Sequence, residues 1–180
     1  QQVGLRTAMW TYSSQESLAR SSIELRPQVP DGYLWLGNVY MERGELATAI
    51  EHYREAVRLA PGLYDARQNL AAALLYLGRP REALAQVDVV EEQHGVTTES
   101  SMVRVRADMA LGRWHEAARR LLWILQRDPS SHALADLQEE LLRRHPRPEA
   151  YRLWLEEQLD RPDLAVAAAV VRPLLSGRGG

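Results

Sequence analysis

The chain has 180 residues, 46% of them hydrophobic and 26% charged, with a formal net charge of −2. This balance allows a buried core and a solvated surface, and it gives no global attraction to nucleic acid or to an anionic membrane. There is no Cys, which removes disulfides, thiolate catalysis and thiolate metal sites, and no apolar run reaches the roughly 18 residues of a membrane-spanning helix.

Gly44, Gly78 and Gly112 stand 34 residues apart, and five residues after each comes Ala49, Ala83 or Ala117. Pro27 and Pro61 share the same spacing, and Pro129 lies two periods after Pro61. A fixed period of this length indicates stacked units that bury a continuous core between neighbours. Ala, Leu, Arg and Glu, all good helix formers, dominate the composition. The expected fold class is therefore all-α.

In chain order, residues 1–29 read as a partial repeat with its second helix at about 13–25. Residues 1–9 are too short for a full first helix, so the chain is expected to begin inside a repeat. Residues 30–63 form a complete unit, with Leu36, Val39, Tyr40 and Arg43 at helical spacing on its first helix. Gly37 and Ala49 are small enough for two helices to cross closely, with Tyr40 and Tyr53 filling the space around the crossing. Gly44 is expected to end the first helix in a left-handed conformation, and Pro61 to end the second. Residues 64–97 repeat the pattern through Leu70, Ala71, Leu74, Gly78, Ala83 and Val87, with Pro80 opening the second helix and Gly95 closing it. Residues 98–131 keep Gly112, Ala117, Leu121 and Pro129 but carry Arg104 and Asp108 on the first helix, where they are expected to pair at i, i+4. Residues 132–164 are a degenerate unit one residue short. There Glu149-Ala150 follow Glu116-Ala117 by 33, the turn is His145-Pro146-Arg147-Pro148, and Leu153, Trp154 and Leu155 build the second helix. Residues 165–175 form an apolar capping or interface helix stopped near Arg172-Pro173, and residues 176–180 a flexible tail.

Tyr33, Leu36, Gly37, Tyr40, Ala49, Tyr53, Ala56 and Pro61 resemble the tetratricopeptide repeat (TPR), in which a large residue, Leu-Gly and Tyr are followed by Ala, an aromatic and a closing Pro at fixed offsets. The resemblance implies a TPR solenoid of antiparallel helix pairs forming a right-handed superhelix, with the first helix of each pair on the concave side. It further implies an interaction scaffold or adaptor that binds a partner helix or peptide in a groove lined by Leu34, Asn38, Met41, Gln68, Asn69, Leu75, Met102, Arg106 and Met109. Asn38 and Asn69 match two positions of the carboxylate clamp that some TPR proteins use on chaperone tails. Leu34, Glu99 and Val103 stand where that clamp has cations, so no such clamp is expected.

The remaining chemistry is sparse. The five His form no HExxH or HxxxH pair, so no metal and no cofactor is expected. Glu91-Glu92, Glu139-Glu140 and Glu156-Glu157 have no marked nucleophile beside them, so the chain is not expected to be an enzyme. Arg119-Arg120, Arg143-Arg144 and Arg147 are interleaved with acids and read as solvated faces, so no nucleic-acid partner is expected. Trp123 and Trp154 are expected in the core and Trp35 partly exposed. All 22 basic residues are Arg, a bias that suits a GC-rich bacterial genome. The extended reading is recruitment of a protein or peptide partner to a bacterial membrane assembly for secretion, polysaccharide export or pilus formation, in the cytoplasm or periplasm, with no direct membrane insertion by these residues. One alternative is a homo-oligomer built through Leu164, Val166, Val170 and Leu174. Another is the non-catalytic TPR part of a larger enzyme.

Overall fold

The structure, a computed structural model, describes the backbone of residues 2–176 and the side chains of residues 14–176. Every element among these residues is helical. They fall into two compact units that part between Val96 and Thr97. The tail expected at 176–180 lies outside the described residues except for Ser176.

The first unit holds α1 (Gln2–Leu25), α2 (Pro30–Glu42), α3 (Leu46–Leu59), α4 (Tyr64–Tyr76) and α5 (Pro80–His94). α1 is one continuous helix rather than a remnant followed by a helix at about 13–25. The reason is local: one period before Gly44 stands Trp10, so no glycine breaks the helix there. α2 with α3, and α4 with α5, are tightly packed pairs, and α1 packs on α2.

The period has a physical cause at the end of each first helix. Gly44, Gly78 and Gly112 have φ of 76°, 75° and 74°, the left-handed region that costs a glycine little. The amide of Glu45 reaches the carbonyl of Tyr40 at 2.9 Å and that of Gly44 reaches Met41 at 3.0 Å. Arg79 with Leu74 and Arg113 with Asp108 repeat the first bond, and Gly78 with Leu75 and Gly112 with Met109 the second. This paired closure satisfies the terminal carbonyls and turns the chain back onto itself. At the crossing of α2 and α3, a Cβ on Gly37 would lie 2.4 Å from the Tyr53 ring. Tyr53, Ala49 and Leu36 are buried around it.

The second unit holds α6 (Thr98–Ala110), α7 (Trp114–Leu125), α8 (His132–Arg144), α9 (Pro148–Leu159), a 3₁₀ turn at Pro162–Leu164 and α10 (Ala165–Leu175). Thr97 and Ser100 form a reciprocal capping box that starts α6. Asp108 feels the charge of Arg104 one turn back. Its carboxylate lies 3.5 Å from Arg113, and burial pushes its pKa up against the opposing charges of Arg113 and Arg104.

One sequence expectation changes in this unit. Tyr151, not Ala150, takes the buried position that Ala117 holds on α7. Tyr151 is 1% exposed, Ala150 is exposed, and the offset from Ala117 to Tyr151 is 34 rather than 33. Its hydroxyl meets Gln138 Nε2 at 3.3 Å, so a bulky polar ring fills the crossing that a small residue leaves open elsewhere. Leu155 is buried while Leu153 is exposed. α10 has the expected bounds, 165–175, and runs through Pro173; a proline in the last turn removes only one hydrogen bond of the ladder.

Candidate functional site

α2 carries Trp35, Asn38 and Glu42 at i, i+3 and i+7, which share a face of a helix. That face, together with Gln15 and Leu18 of α1 and Val39 beneath, encloses a cleft of about 340 Å³. The inward side of α2, with Leu36, Val39 and Tyr40, is buried, so the helix is held rigidly while its other side stays open. Trp35 is 48% exposed and Leu18 is 68% exposed. A second cleft of about 200 Å³ adjoins the first through Asn38 and Glu42 and is completed by Met41, Tyr53, Asn69 and Ala72.

The polar groups of these clefts are ordered by one another. The Asn38 side-chain oxygen accepts from the Tyr53 hydroxyl and from Asn69 Nδ2, both at 2.9 Å. This fixes the Asn38 amide so that its NH₂ group is left to donate outward. Burial, with a smaller push from the Glu42 charge, raises the Tyr53 hydroxyl above its ordinary range, so it remains a neutral donor. Glu42 is exposed and forms no ion pair with the described residues, whereas the nearby Arg20 and Arg43 are both bound to Glu16 at 2.8 Å. Among the described residues, the two clefts together are lined by one acid and no base.

The residues expected to line a groove are therefore dispersed. Asn38, Met41 and Asn69 meet in the second cleft. Leu34, Gln68 and Leu75 are half-buried and line neither cleft. In the second unit, Met102 is half-buried against the core and Arg106 half-buried. Met109 is only 5% exposed and belongs to the core, so it offers no floor to a ligand. α6 packs on both α7 and α8, and a flexible thioether turns readily into such a gap.

The apolar surface of α10 is also largely occupied. α10 rests on α7, α8 and α9, with Ala167, Ala168 and Val171 buried and Leu164 and Val170 packed against the same core. Leu174 is half-buried, and Val166 is 41% exposed. Gln126 Oε1 accepts from the amides of Val166 and Ala167 at 2.9 Å, which fastens the start of α10 to the end of α7.

Among the tryptophans, Trp123 departs from the expected core position. It is 40% exposed, because Leu121, Leu122, Ile124 and Leu125 already fill the inner side of α7. The Arg127 guanidinium lies 4.1 Å from its ring centre, with Arg120 at 5.6 Å. Trp154 and Trp114 pack against the core, and the side chain of Trp10 lies outside the described residues. Reasoning from the sequence missed Leu18, Gln15 and Glu42 as site residues.

Among the described residues no helix is long and apolar enough to cross a membrane, and no cluster of His, Asp or Glu is arranged to hold a metal ion. The sequence profile of the family described as TPR repeat matches residues 37–78. A relative from Schizosaccharomyces pombe, named DnaJ homolog subfamily C member 7 homolog, is 32% identical over 111 residues. That match covers 59% of this chain and 23% of the relative, so the chain spans about a quarter of that protein's length. Among solved structures, a tetratricopeptide repeat protein from Parabacteroides merdae aligns with a TM-score of 0.73 at 13% identity, covering 98% of this chain and 76% of that one. MamA from Desulfovibrio magneticus RS-1 aligns at 0.70 and 14%, covering 98% and 89%. YrrB, described as a TPR protein with an unusual peptide-binding site, aligns at 0.66 and 19%, covering 96% and 85%. These likenesses concern the fold. With the repeat sequence at residues 37–78 and paired helices closed by left-handed glycines in both units, the chain carries a TPR repeat and has the fold of tetratricopeptide-repeat proteins.

Proposed function

We propose that the chain is a protein-interaction scaffold that holds a segment of a partner against the α1–α2–α4 face of its first unit. Trp35 carries this reading. Its indole stands 48% exposed on a helix that is otherwise firmly packed, beside the 68%-exposed Leu18 and at the edge of a formed cleft. A large aromatic on a rigid support next to an apolar hollow gains burial when a partner docks, which is how interface anchors act. The expected groove set narrows to Asn38, Met41 and Asn69 and gains Trp35, Leu18 and Glu42. The role is one of binding, with no reaction assigned to these residues. Recruitment of the partner to a bacterial membrane assembly extends the proposal. Its support is compositional, and loss of the partner from membrane fractions in cells carrying Trp35→Ala tests it.

The binding test uses random dodecapeptides displayed on phage and selected on the intact chain. Trp35→Ala is expected to weaken the selected peptides by about 30-fold, the effect of losing an anchor of about 2 kcal/mol, while the far-ultraviolet circular dichroism stays unchanged. Peptides that bind Trp35→Ala as tightly as the parent would place recognition elsewhere and end this reading.

A further inference from the structure

The same face specifies the chemistry of what it holds, an inference that rests on the proposed function. Three observations bear on it. Among the described residues, the two adjoining clefts are lined by a single charged side chain, Glu42, which sits at their shared wall and forms no ion pair with those residues. Arg43, next to it in sequence, and Arg20 are already held by Glu16. At the other end of the first cleft, Trp35 and Leu18 form an apolar hollow. Between them, Asn38 has its carbonyl oxygen occupied by Tyr53 and Asn69 and so presents donors only.

We propose that this face recognises an extended segment of a partner protein carrying a large apolar side chain and, three residues away, an Arg or Lys. The apolar side chain sits between Trp35 and Leu18, the cation meets Glu42, and a main-chain carbonyl between them accepts from the Asn38 amide. The spacing follows from helix geometry. Trp35 and Glu42 are seven residues apart on α2, which at about 1.5 Å per residue is about 10 Å. An extended peptide covers that span in three residues at about 3.3 Å each. The sign of the charge follows from the lining: an acidic segment would meet Glu42 and find no cation among the described residues of either cleft. This is the reverse of the clamp that holds a chain-terminal carboxylate, and it agrees with Leu34 standing where that clamp has a cation.

The peptide selection described above tests the inference when it is run in parallel on the parent chain and on Glu42→Arg. The parent is expected to enrich peptides with an apolar and a basic residue three positions apart. Glu42→Arg is expected to enrich peptides with an acid in place of the base and to bind the parent's peptides at least tenfold more weakly. A thermal melt of Glu42→Arg within a few degrees of the parent shows that the exposed substitution leaves the fold in place. Peptides that depend on Trp35 but are indifferent to Glu42→Arg, or that carry no base at the third position, overturn the charge inference and leave the scaffold reading standing. Enrichment of no peptide, or of peptides indifferent to Trp35→Ala, overturns both.

Discussion

Gly37→Ala tests how the repeat is held together. The added Cβ would lie 2.4 Å and 2.5 Å from two ring carbons of Tyr53 and 3.0 Å from a third. Ordinary contact begins near 3.4 Å, so the ring or one of the two helices must shift by about 1 Å. Tyr53 is 1% exposed and its hydroxyl donates to Asn38, so the ring has no free direction. Overpacking of a core costs about 1–3 kcal/mol, and loosening the Tyr53–Asn38 bond adds about 1 kcal/mol. Against this, Ala in place of Gly inside a helix favours folding by about 1 kcal/mol. The net expectation is a loss of about 1–3 kcal/mol, which for a chain of this size lowers the melting temperature by about 2–12 °C. Circular dichroism during thermal and urea unfolding measures it, with Gly62→Ala as the control, because nothing lies within 4 Å of a Cβ at Gly62. The loss should shrink when Tyr53→Leu is made first, since the ring is the obstacle. A Gly37→Ala chain that melts at or above the parent, or a loss unchanged by Tyr53→Leu, would refute the close-crossing account of this fold.

Three further expectations concern the second unit and the buried histidines. Gln126→Met removes the acceptor for the Val166 and Ala167 amides and is expected to cost about 1–2 kcal/mol, with faster hydrogen exchange confined first to the start of α10. Leu155→Ala should cost about 2–5 kcal/mol, whereas Leu153→Ala, at a 69%-exposed position, should stay within about 0.5 kcal/mol; equal losses would move the register of α9. Burial lowers the pKa of both His52 and His145 below the ordinary 6.5. The unfolded chain therefore binds more protons in that window, and stability, complete above the unfolded-state value, declines as pH falls through it toward the lower folded values. Urea midpoints taken from pH 7.5 to 5 should fall, and His145→Phe, which keeps a ring against Tyr151, should flatten the decline.

Much of this architecture could be read from residue spacing, because its causes are local. A glycine that must adopt positive φ, a small residue where two helices touch and a proline that opens or closes a helix each act within a few residues. They therefore leave a mark at a fixed offset. The expectation failed where a local mark was absent or ambiguous. Trp10 occupies the place of a helix-ending glycine, and α1 runs on through it. Ala150 and Tyr151 are neighbours that both fit an inward position, and only the packing of α9 chose the tyrosine. The helix period marks which stripe of α6 and α7 is apolar, but it could not say that α8 would lie against Met109 or that Trp123 would be left outside a stripe already full.

The candidate site shows the same division. Asn38, Met41 and Asn69 are legible from their places on the first helices of their pairs. The hydrogen bonds that occupy the Asn38 oxygen join residues 15 and 31 positions apart, and the hollow between Leu18 and Trp35 joins α1 to α2 across a turn. By itself the sequence determined the all-α repeat and where its helices turn, since backbone conformation and helix periodicity are written into neighbouring residues. Only the tertiary structure decided which side chains stay exposed and which charge among them forms no ion pair with the described residues. Exposure and pairing depend on how separate helices pack, and the order of residues along one helix does not contain that information.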